Sequence, residues 1–152
     1  MSPSARMALN SRFHVDVSGI SLGGWASCKG LAVTFDSENL AIGGNYDGSW
    51  VLPTRLSYSN ITLVRAITPD GTKLVQDWLR KMKQDWMNSD DDQDLDTTAT
   101  ITLMDTKNNF SDPVATWKLE RVYPKSWRGP DMDAGNGGIA TETLELIHQG
   151  FL

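Results

Sequence analysis

The residues most able to bind a metal ion are five aspartates that lie close together in the sequence. They are Asp90, Asp91, Asp92, Asp94 and Asp96. A calcium-binding EF-hand loop requires glycine at its sixth position and glutamate at its twelfth. Counted from Asp90, these positions hold Leu95 and Ile101, and counting from Asp92 fails in the same way. We therefore expect a solvated acidic loop, because like charges repel; a weak cation site of another kind is the alternative.

Two short patterns could indicate catalysis or nucleotide binding. Residues 19–23 fit the Gly-x-Ser-x-Gly nucleophile pattern around Ser21, but that pattern needs a strand before the serine and a helix after it. Residues 24–28 do not begin a helix. Residues 135–140 fit a Gly-x-Gly-x-x-Ala dinucleotide pattern, yet such a loop must open a helix, and here it precedes a predicted strand. We interpret both matches as chance.

The remaining candidates for chemistry are one cysteine, Cys28, and two histidines, His14 and His148. A lone cysteine forms no intrachain disulfide, and these three residues lack the spacing of a zinc site. We therefore predict no catalytic residue, no cofactor and no metal site. An enzyme built around Ser21 or Cys28 is the alternative hypothesis.

Composition and charge are those of a globular protein that does not bind nucleic acid stably. The chain has 152 residues, of which 39% are hydrophobic and 22% are charged, and this predicts one domain over 1–152. The net charge of −5 argues against stable binding of DNA or RNA, which requires clustered Lys and Arg. No apolar run approaches the ~18 residues that span a bilayer. Residues 1–10 lack the apolar centre of a secretory signal, and we expect them to be flexible.

The elements that must position these residues are mostly strands. Alternation of apolar and polar residues predicts strands over 13–17, 31–35, 57–67, 98–105, 114–122 and 141–148. Gly19 and the pair Gly23-Gly24 predict turns, and the stretch 124–138 is predicted to be irregular. About six or seven strands with a single helix, not regularly alternated, predict a mainly antiparallel β-barrel or sandwich with one packed helix.

That single helix is predicted to begin at Thr68-Pro69. Threonine is a good N-cap and proline fits the first helical position. The apolar residues that recur every four positions are Leu74, Trp78, Met82 and Trp86, with Val75 and Leu79 beside them. This stripe predicts an amphipathic helix of about four turns whose apolar face packs in the core.

A glycine-rich cluster predicts an extended hairpin or loop arm over residues 40–54. The cluster consists of Gly43, Gly44, Asn45, Tyr46, Asp47 and Gly48, and Trp50 follows it. Glycine and asparagine supply turn conformations, and the two aromatic residues could anchor the arm. The sequence leaves two interpretations open: a surface hairpin, or an arm that docks on a neighbouring subunit.

The closing segment of the chain carries the clearest family resemblance. Residues 124–134 have the sequence Pro-Lys-Ser-Trp-Arg-Gly-Pro-Asp-Met-Asp-Ala, and residues 139–150 end in His-Gln-Gly. These segments resemble the tail-tube proteins of contractile phages and extracellular contractile injection systems, in which a Trp-x-Gly-Pro-x-Leu-Asp-Ala-like loop precedes a final Glu- and Leu-rich strand. Residues 13–35, 52–53 and 58–65 and Trp78 fit the same family. The sequence departs from the family pattern at Thr54, Val64, Ala66 and Met132.

The resemblance implies a fold and a mechanical role. Six copies of a small β-barrel-like subunit would form a ring, and rings would stack into a rigid tube inside a contractile sheath. The implied partners are further copies of the chain, the sheath protein, and baseplate and tube-terminating proteins, with DNA or protein effectors passing through the lumen without stable binding. The implied location is a phage tail or an injection particle that is assembled in the bacterial cytoplasm and can be released outside the cell.

The resemblance also singles out residues for assembly. Residues 43–48 and Trp50 are expected to dock between rings. A subunit contact, or bracing of the last strand, is expected from Trp127, Gly129, Pro130, Asp131, Asp133 and Ala134. The rival hypotheses are a type VI secretion inner-tube protein and a monomeric β-rich binding module, of which the latter would not self-assemble. The sequence leaves open the choice between phage tail and injection system.

Overall fold

Alternating apolar and polar residues form strands through most of the chain. The computed structural model describes residues 13–41, 49–88, 97–104, 113–130 and 139–152. Within these ranges it contains β1 (Phe13–Val17), β2 (Ile20–Trp25), β3 (Ser27–Lys29), β4 (Val33–Ala41), β5 (Ser49–Tyr58), β6 (Ile61–Ala66), α1 (Pro69–Asn88), β7 (Ala99–Leu103), β8 (Ala115–Leu119), β9 (Tyr123–Arg128) and β10 (Thr141–Ile147). The prediction of a mainly β protein with one helix is confirmed for the described residues.

Within the described ranges the strands form two four-stranded sheets and one separate two-stranded ribbon. The first sheet has the order β2-β1-β7-β8, the second has the order β3-β6-β10-β9, and the ribbon pairs β4 with β5. Every pairing between these strands is antiparallel. We call the ribbon the hairpin and the rest of the described chain the body.

The core of the body is built from every second residue of the central strands. The buried residues of these strands are Val15, Val17, Ile61, Leu63, Ala99, Ile101, Leu144 and Leu146. They come from both sheets, so the two sheets pack face to face as a sandwich. The predicted alternative of a closed barrel is wrong, because in the described residues β2 and β8 end the first sheet and β3 and β9 end the second.

Helix α1 begins where the sequence predicts. The backbone N–H of Gly71 donates to Oγ1 of Thr68 at 3.1 Å, which satisfies one of the free donors of the first turn. The buried stripe of the helix consists of Val75, Trp78 and Met82. The predicted stripe is therefore wrong at its two ends, because Leu74 and Trp86 are exposed.

Glycines 23 and 24 continue a strand instead of ending it. The register between β1 and β2 shifts between Val15 and Asp16, and Gly23 has a φ of +83°. A bulge of this kind absorbs one extra residue and uses the left-handed conformation that glycine adopts readily. The predicted turn at Gly23-Gly24 is thus a bulge within β2, whereas the turn at Gly19 (φ +80°) is present.

The stretch predicted to be irregular begins with a strand. β9 spans Tyr123–Arg128 and pairs with β10, with a register shift between Glu145 and Leu146. Pro124 lies in this strand, and proline is tolerated at the edge of a sheet because it has no N–H to donate. The bulge and the proline disrupt the alternation of apolar and polar residues, which explains why the sequence does not predict β9.

Candidate assembly surface

The hairpin contributes no residue to the hydrophobic core of the described chain. Its strands pair along their whole length, from Val33 opposite Tyr58 to Ala41 opposite Ser49. The prediction placed the arm at residues 40–54, so the ribbon is longer than expected at its base. Its tip, which holds Gly43, Gly44, Asn45, Tyr46, Asp47 and Gly48, lies outside the described residues.

One face of the hairpin is apolar and open to solvent. Residues opposite each other in an antiparallel pair share a face of the sheet, which places Phe35 beside Leu56. The register shifts between Asp36 and Ser37, and beyond this shift Ser37 lies beside Pro53 and Asn39 beside Val51. Phe35 is 68% exposed and Val51 is 63% exposed. We call Phe35, Leu56, Pro53 and Val51 the apolar hairpin face.

The opposite face is polar near the body and apolar near the tip. Asp36 Oδ2 accepts hydrogen bonds from the hydroxyl of Ser57 at 2.8 Å and from Nε of Arg55 at 3.1 Å. These two bonds hold the pKa of Asp36 below its ordinary value, and the bond from Ser57 has the larger effect. Further out, Leu40 lies opposite Trp50, which is 64% exposed. Trp50 therefore lies on an exposed part of the hairpin, and its docking role stays a prediction.

A ribbon with these properties is typical of a surface that associates with another protein. An isolated two-stranded hairpin is marginally stable in water, and contiguous exposed apolar surface marks sites of protein association. The prediction did not include Phe35, Leu40, Val51 and Leu56 among the assembly residues. Their alternation was the available signal, but alternation alone does not distinguish a residue that faces a core from one that faces another subunit.

The edges of the two sheets form a second candidate surface. In the described residues, β3 and β9 have no strand partner on their outer sides, and the same holds for β2 and β8. Unpaired edge strands present rows of N–H and C=O groups that can pair with another chain. Each sheet has four strands in strict antiparallel order, so its two edges run in opposite directions and could pair antiparallel between copies.

A buried ion pair holds the body together beneath these surfaces. Nε of Arg65 donates to Oε1 of Glu142 at 2.6 Å, and both side chains are buried. The remaining guanidinium donors reach the carbonyls of Leu22 at 2.7 Å and Gly71 at 2.6 Å. Arg65 also stacks over the ring of Trp25 at 3.9 Å, a favourable cation–π geometry. One side chain thus ties β6 to β2, β10 and the start of α1.

Trp127, which the sequence singled out for assembly, contributes to this network. Its Nε1–H donates to Oε2 of Glu142 at 3.1 Å, and its ring packs against the core from the edge strand β9. A Cβ on Gly129 would approach the Trp127 ring at 3.1 Å, so the ring and the Gly129-Pro130 backbone lie close together. Asp131, Asp133 and Ala134 lie outside the described residues, as do the aspartates at 90–96.

The sequence reasoning missed Arg65 and Glu142, although a signal was present. The alternation that places Ile61 and Leu63 in the core also places Arg65 there, and Glu142 lies on the same face as Leu144. The two charged residues are direct partners across β6 and β10. Two opposite charges at core positions of neighbouring strands therefore indicate a buried ion pair.

Ser21 and His14 do come together, but not as a catalytic relay. Ser21 Oγ and Asp16 Oδ1 both approach the same ring atom, Nε2 of His14, at 3.4 Å. A serine relay requires the carboxylate on the opposite ring nitrogen. Burial raises the pKa of the Cys28 thiol to about 11, so this thiol stays protonated near neutral pH, where a nucleophilic cysteine must be a thiolate.

The part of the chain that the structure describes has neither a candidate metal cluster nor a candidate membrane-spanning helix. No group of three or more His, Cys, Asp or Glu side chains there could hold a metal ion. In that same part of the chain, no helix is long and apolar enough to cross a membrane.

Comparison with known proteins gives one family and several similar structures. The family model of the T4-like virus tail tube protein gp19 matches residues 9–152. None of the curated protein sequences matches this chain.

Two of the similar solved structures come from an extracellular contractile injection system, and a third comes from the anti-feeding prophage. A chain of the extended PVC sheath–tube complex, an extracellular contractile injection system, is 21% identical, with a TM-score of 0.69 over 99% of this chain and 96% of that one. A chain of the PVC sheath/tube terminator is 25% identical, with a TM-score of 0.66 over 91% and 90%. A chain of the anti-feeding prophage baseplate is 22% identical, with a TM-score of 0.67 over 92% and 90%.

Proposed function

Because the chain belongs to the T4-like virus tail tube protein family, we propose that it assembles into hexameric rings. These rings stack into the rigid inner tube of a contractile particle. Its role is mechanical, and no catalytic step is part of it. The observation that carries this proposal is the apolar hairpin face, which nothing in the described subunit covers and which a second copy of the chain would cover.

Ring closure through sheet edges is the first part of the proposal. β9 of one subunit would lie antiparallel to β3 of the next, extending the second sheet around the ring. The even number of strands in the sheet supports this arrangement, because rotation about the ring axis then brings opposite strand directions together. Closing the ring removes edges that would otherwise aggregate.

Stacking through the hairpin is the second part. The hairpin would dock its apolar face on a subunit of the neighbouring ring, together with Trp50 and the glycine-rich residues 43–48. A contact between two different surfaces of the same chain repeats from ring to ring without closing, as a tube requires. The segment that holds Trp127, Gly129, Pro130, Asp131, Asp133 and Ala134 is proposed to support the β9 edge at the contact between subunits.

The proposed partners follow from the particles to which the similar structures belong. Those structures are described as a sheath–tube complex, a sheath/tube terminator and a baseplate. We therefore include a sheath protein, a baseplate and a terminator among the proposed partners. We also propose that the particle is assembled in the bacterial cytoplasm. DNA or effector proteins would pass through the lumen without stable binding, since the chain carries a net charge of −5.

The experiment compares two double variants of the hairpin by negative-stain electron microscopy and light scattering. Phe35→Asn with Val51→Asn changes the apolar hairpin face, and Thr34→Asn with Glu38→Asn changes the opposite face. We expect tubes of uniform bore from the wild-type chain and from the second variant, alone or on a matching baseplate. The first variant should remain a folded subunit that forms no tubes, because it buries two amides in an apolar contact.

Two results would count against the proposal. Equal tube formation by both double variants would remove the docking role of the apolar face. A wild-type chain that stays monomeric at high concentration and also on a matching baseplate would contradict self-assembly itself.

A further inference from the structure

The hairpin joins the body through a narrow neck. On one side the neck is formed by residues 30–32 and on the other by Ser59 and Asn60. The neck carries two backbone hydrogen bonds, from Ala32 N to Gly30 O at 2.8 Å and from Ser59 N to Ala32 O at 3.4 Å. The first lies within one side of the neck, and the second is long for an N–H···O bond, so backbone bonds restrain the hairpin only weakly there. One side-chain bond adds to them, from Nδ2 of Asn60 to Oε1 of Glu145 at 3.2 Å.

His148, near the opposite end of the chain from β1, contacts this neck. Nε2 of His148 lies 2.8 Å from the carbonyl oxygen of Ser59, and the backbone N–H of Gly150 donates to Nδ1 of the same ring at 3.1 Å. Because Nδ1 accepts, Nε2 must carry the proton and donate to Ser59. The ring is buried and uses both nitrogens, so its position is fixed by two bonds at once.

Aromatic contacts also hold the base of the hairpin against residues 148–151. The ring of Tyr58, the last residue of the hairpin, lies 5.5 Å from the ring of His148 and 5.3 Å from that of Phe151, both edge-on. These distances and angles are favourable for aromatic pairs. Gly150 has a φ of +142°, and a Cβ there would lie 2.9 Å from the Tyr58 ring, so only glycine permits this approach.

The segment that grips the hairpin is itself held by the body. The backbone N–H of Glu120 donates to the carbonyl of Gly150 at 2.9 Å, and the N–H of Gln149 donates to the carbonyl of Glu120 at 2.8 Å. These bonds connect the end of the chain to the segment that follows β8. Any movement of the hairpin about its neck would therefore have to break contacts anchored in both sheets.

We propose that residues 148–151 form a clamp that fixes the direction of the hairpin relative to the body, with His148 as its central positioning residue. A docking arm held in its bound direction loses less conformational entropy on binding than an arm that pivots. Tube assembly should therefore depend on the clamp; this second half rests on the proposed function, whereas the orientation of the hairpin in the free subunit does not.

The test measures hairpin orientation in the unassembled full-length subunit by electron spin resonance distance measurement. Spin labels are attached at Thr54→Cys on the hairpin and Lys83→Cys on α1, in a Cys28→Ala background. His148→Phe keeps a ring but loses both hydrogen bonds. We expect its distance distribution to be about twice as broad as that of the wild-type protein, because the hydrogen bond from the His148 ring to the neck is then lost.

Three further variants separate positioning from folding. His148→Gln can still donate to Ser59 and should restore much of the narrow distribution, whereas Phe151→Ala should broaden it to an intermediate degree. Gln149→Ala changes an exposed side chain and should leave it unchanged. If His148→Phe does not fold, Phe151→Ala and His148→Gln carry the test.

The outcomes distinguish the clamp from the tube. A folded His148→Phe subunit with an unchanged distance distribution overturns the clamp, whatever its assembly. Broadening in the free subunit supports the clamp even if the wild-type chain forms no tubes, and in that case the proposed function fails alone. Broadening together with at least about a tenfold loss of tube formation relative to Gln149→Ala supports both halves.

Discussion

The body and the hairpin use the same strand pattern for opposite purposes. In the body, alternate strand residues such as Leu63 are fully buried. In the hairpin, Leu56 lies on the apolar face of its strand but is 46% exposed. Both regions consist of antiparallel strand pairs. The difference shows that strand periodicity indicates which face is apolar but not what covers it. In the body a second sheet covers that face, and in the hairpin we propose that a second subunit does.

The largest predicted effect breaks the centre of the body. Arg65→Met removes the partner of the buried Glu142 carboxylate, and the free energy of unfolding should fall by about 3–5 kcal/mol, because an uncompensated buried charge remains. Urea denaturation measures the change. The double variant Arg65→Met with Glu142→Leu removes both charges and should recover most of the loss. A loss below about 1 kcal/mol in the single variant would show that the ion pair does not organise the body.

The second prediction applies one substitution to both regions. Leu63→Ala in the body should lower the free energy of unfolding by about 2–5 kcal/mol, because it leaves a cavity in a packed core. Leu56→Ala in the hairpin should change it by no more than about 0.5 kcal/mol in the free subunit. Chemical denaturation of both variants checks the difference. Similar losses in the two variants would mean that the hairpin already has a core of its own.

The third prediction concerns the neck between the two regions. Gly30 has a φ of +98°, and a Cβ there would lie 1.9 Å from the carbonyl oxygen of Asn60. Gly30→Ala should therefore cost at least about 1–3 kcal/mol of unfolding free energy through backbone strain, with the clash adding to it. Gly19→Ala is the matched control, because Gly19 also has a positive φ (+80°) but nothing within 4 Å of its Cβ position. Equal costs at both glycines would contradict the tight packing of the neck.

The smallest predicted effect lies on the exposed polar face of the hairpin. The pKa of Asp36 is lowered by its bonds from Ser57 and Arg55, so its contribution to stability is present above the ordinary carboxyl pKa and lost as pH falls through the lowered value. The melting temperature of Asp36→Asn should therefore lie slightly below that of the wild type at neutral pH, and the two should coincide at a pH of about 2. Thermal melts across this range check the sign, and a difference that grows as pH falls would contradict it.

The sequence predicts the elements of the body well and its bulges poorly. Strands β1, β6, β7, β8 and β10 and the start of α1 follow from alternation and from the Thr68-Pro69 cap, because these signals are local. β2 and β9 escape prediction since a glycine bulge and Pro124 interrupt their periodicity. The residues that carry the resemblance identify the family, but the contact between His148 and Ser59 depends on tertiary packing across 89 residues and has no local signal.

The central claim is that the hairpin is exposed in the subunit and covered in the tube. Hydrogen exchange of the free subunit and of assembled tubes, followed by mass spectrometry, measures this directly. We predict that peptides from 33–41 and 49–58 slow by at least about tenfold on assembly, while the core of the body, in β6 and β10, changes little because it is already protected. Hairpin peptides that exchange equally fast in tubes and in free subunits would contradict the claim.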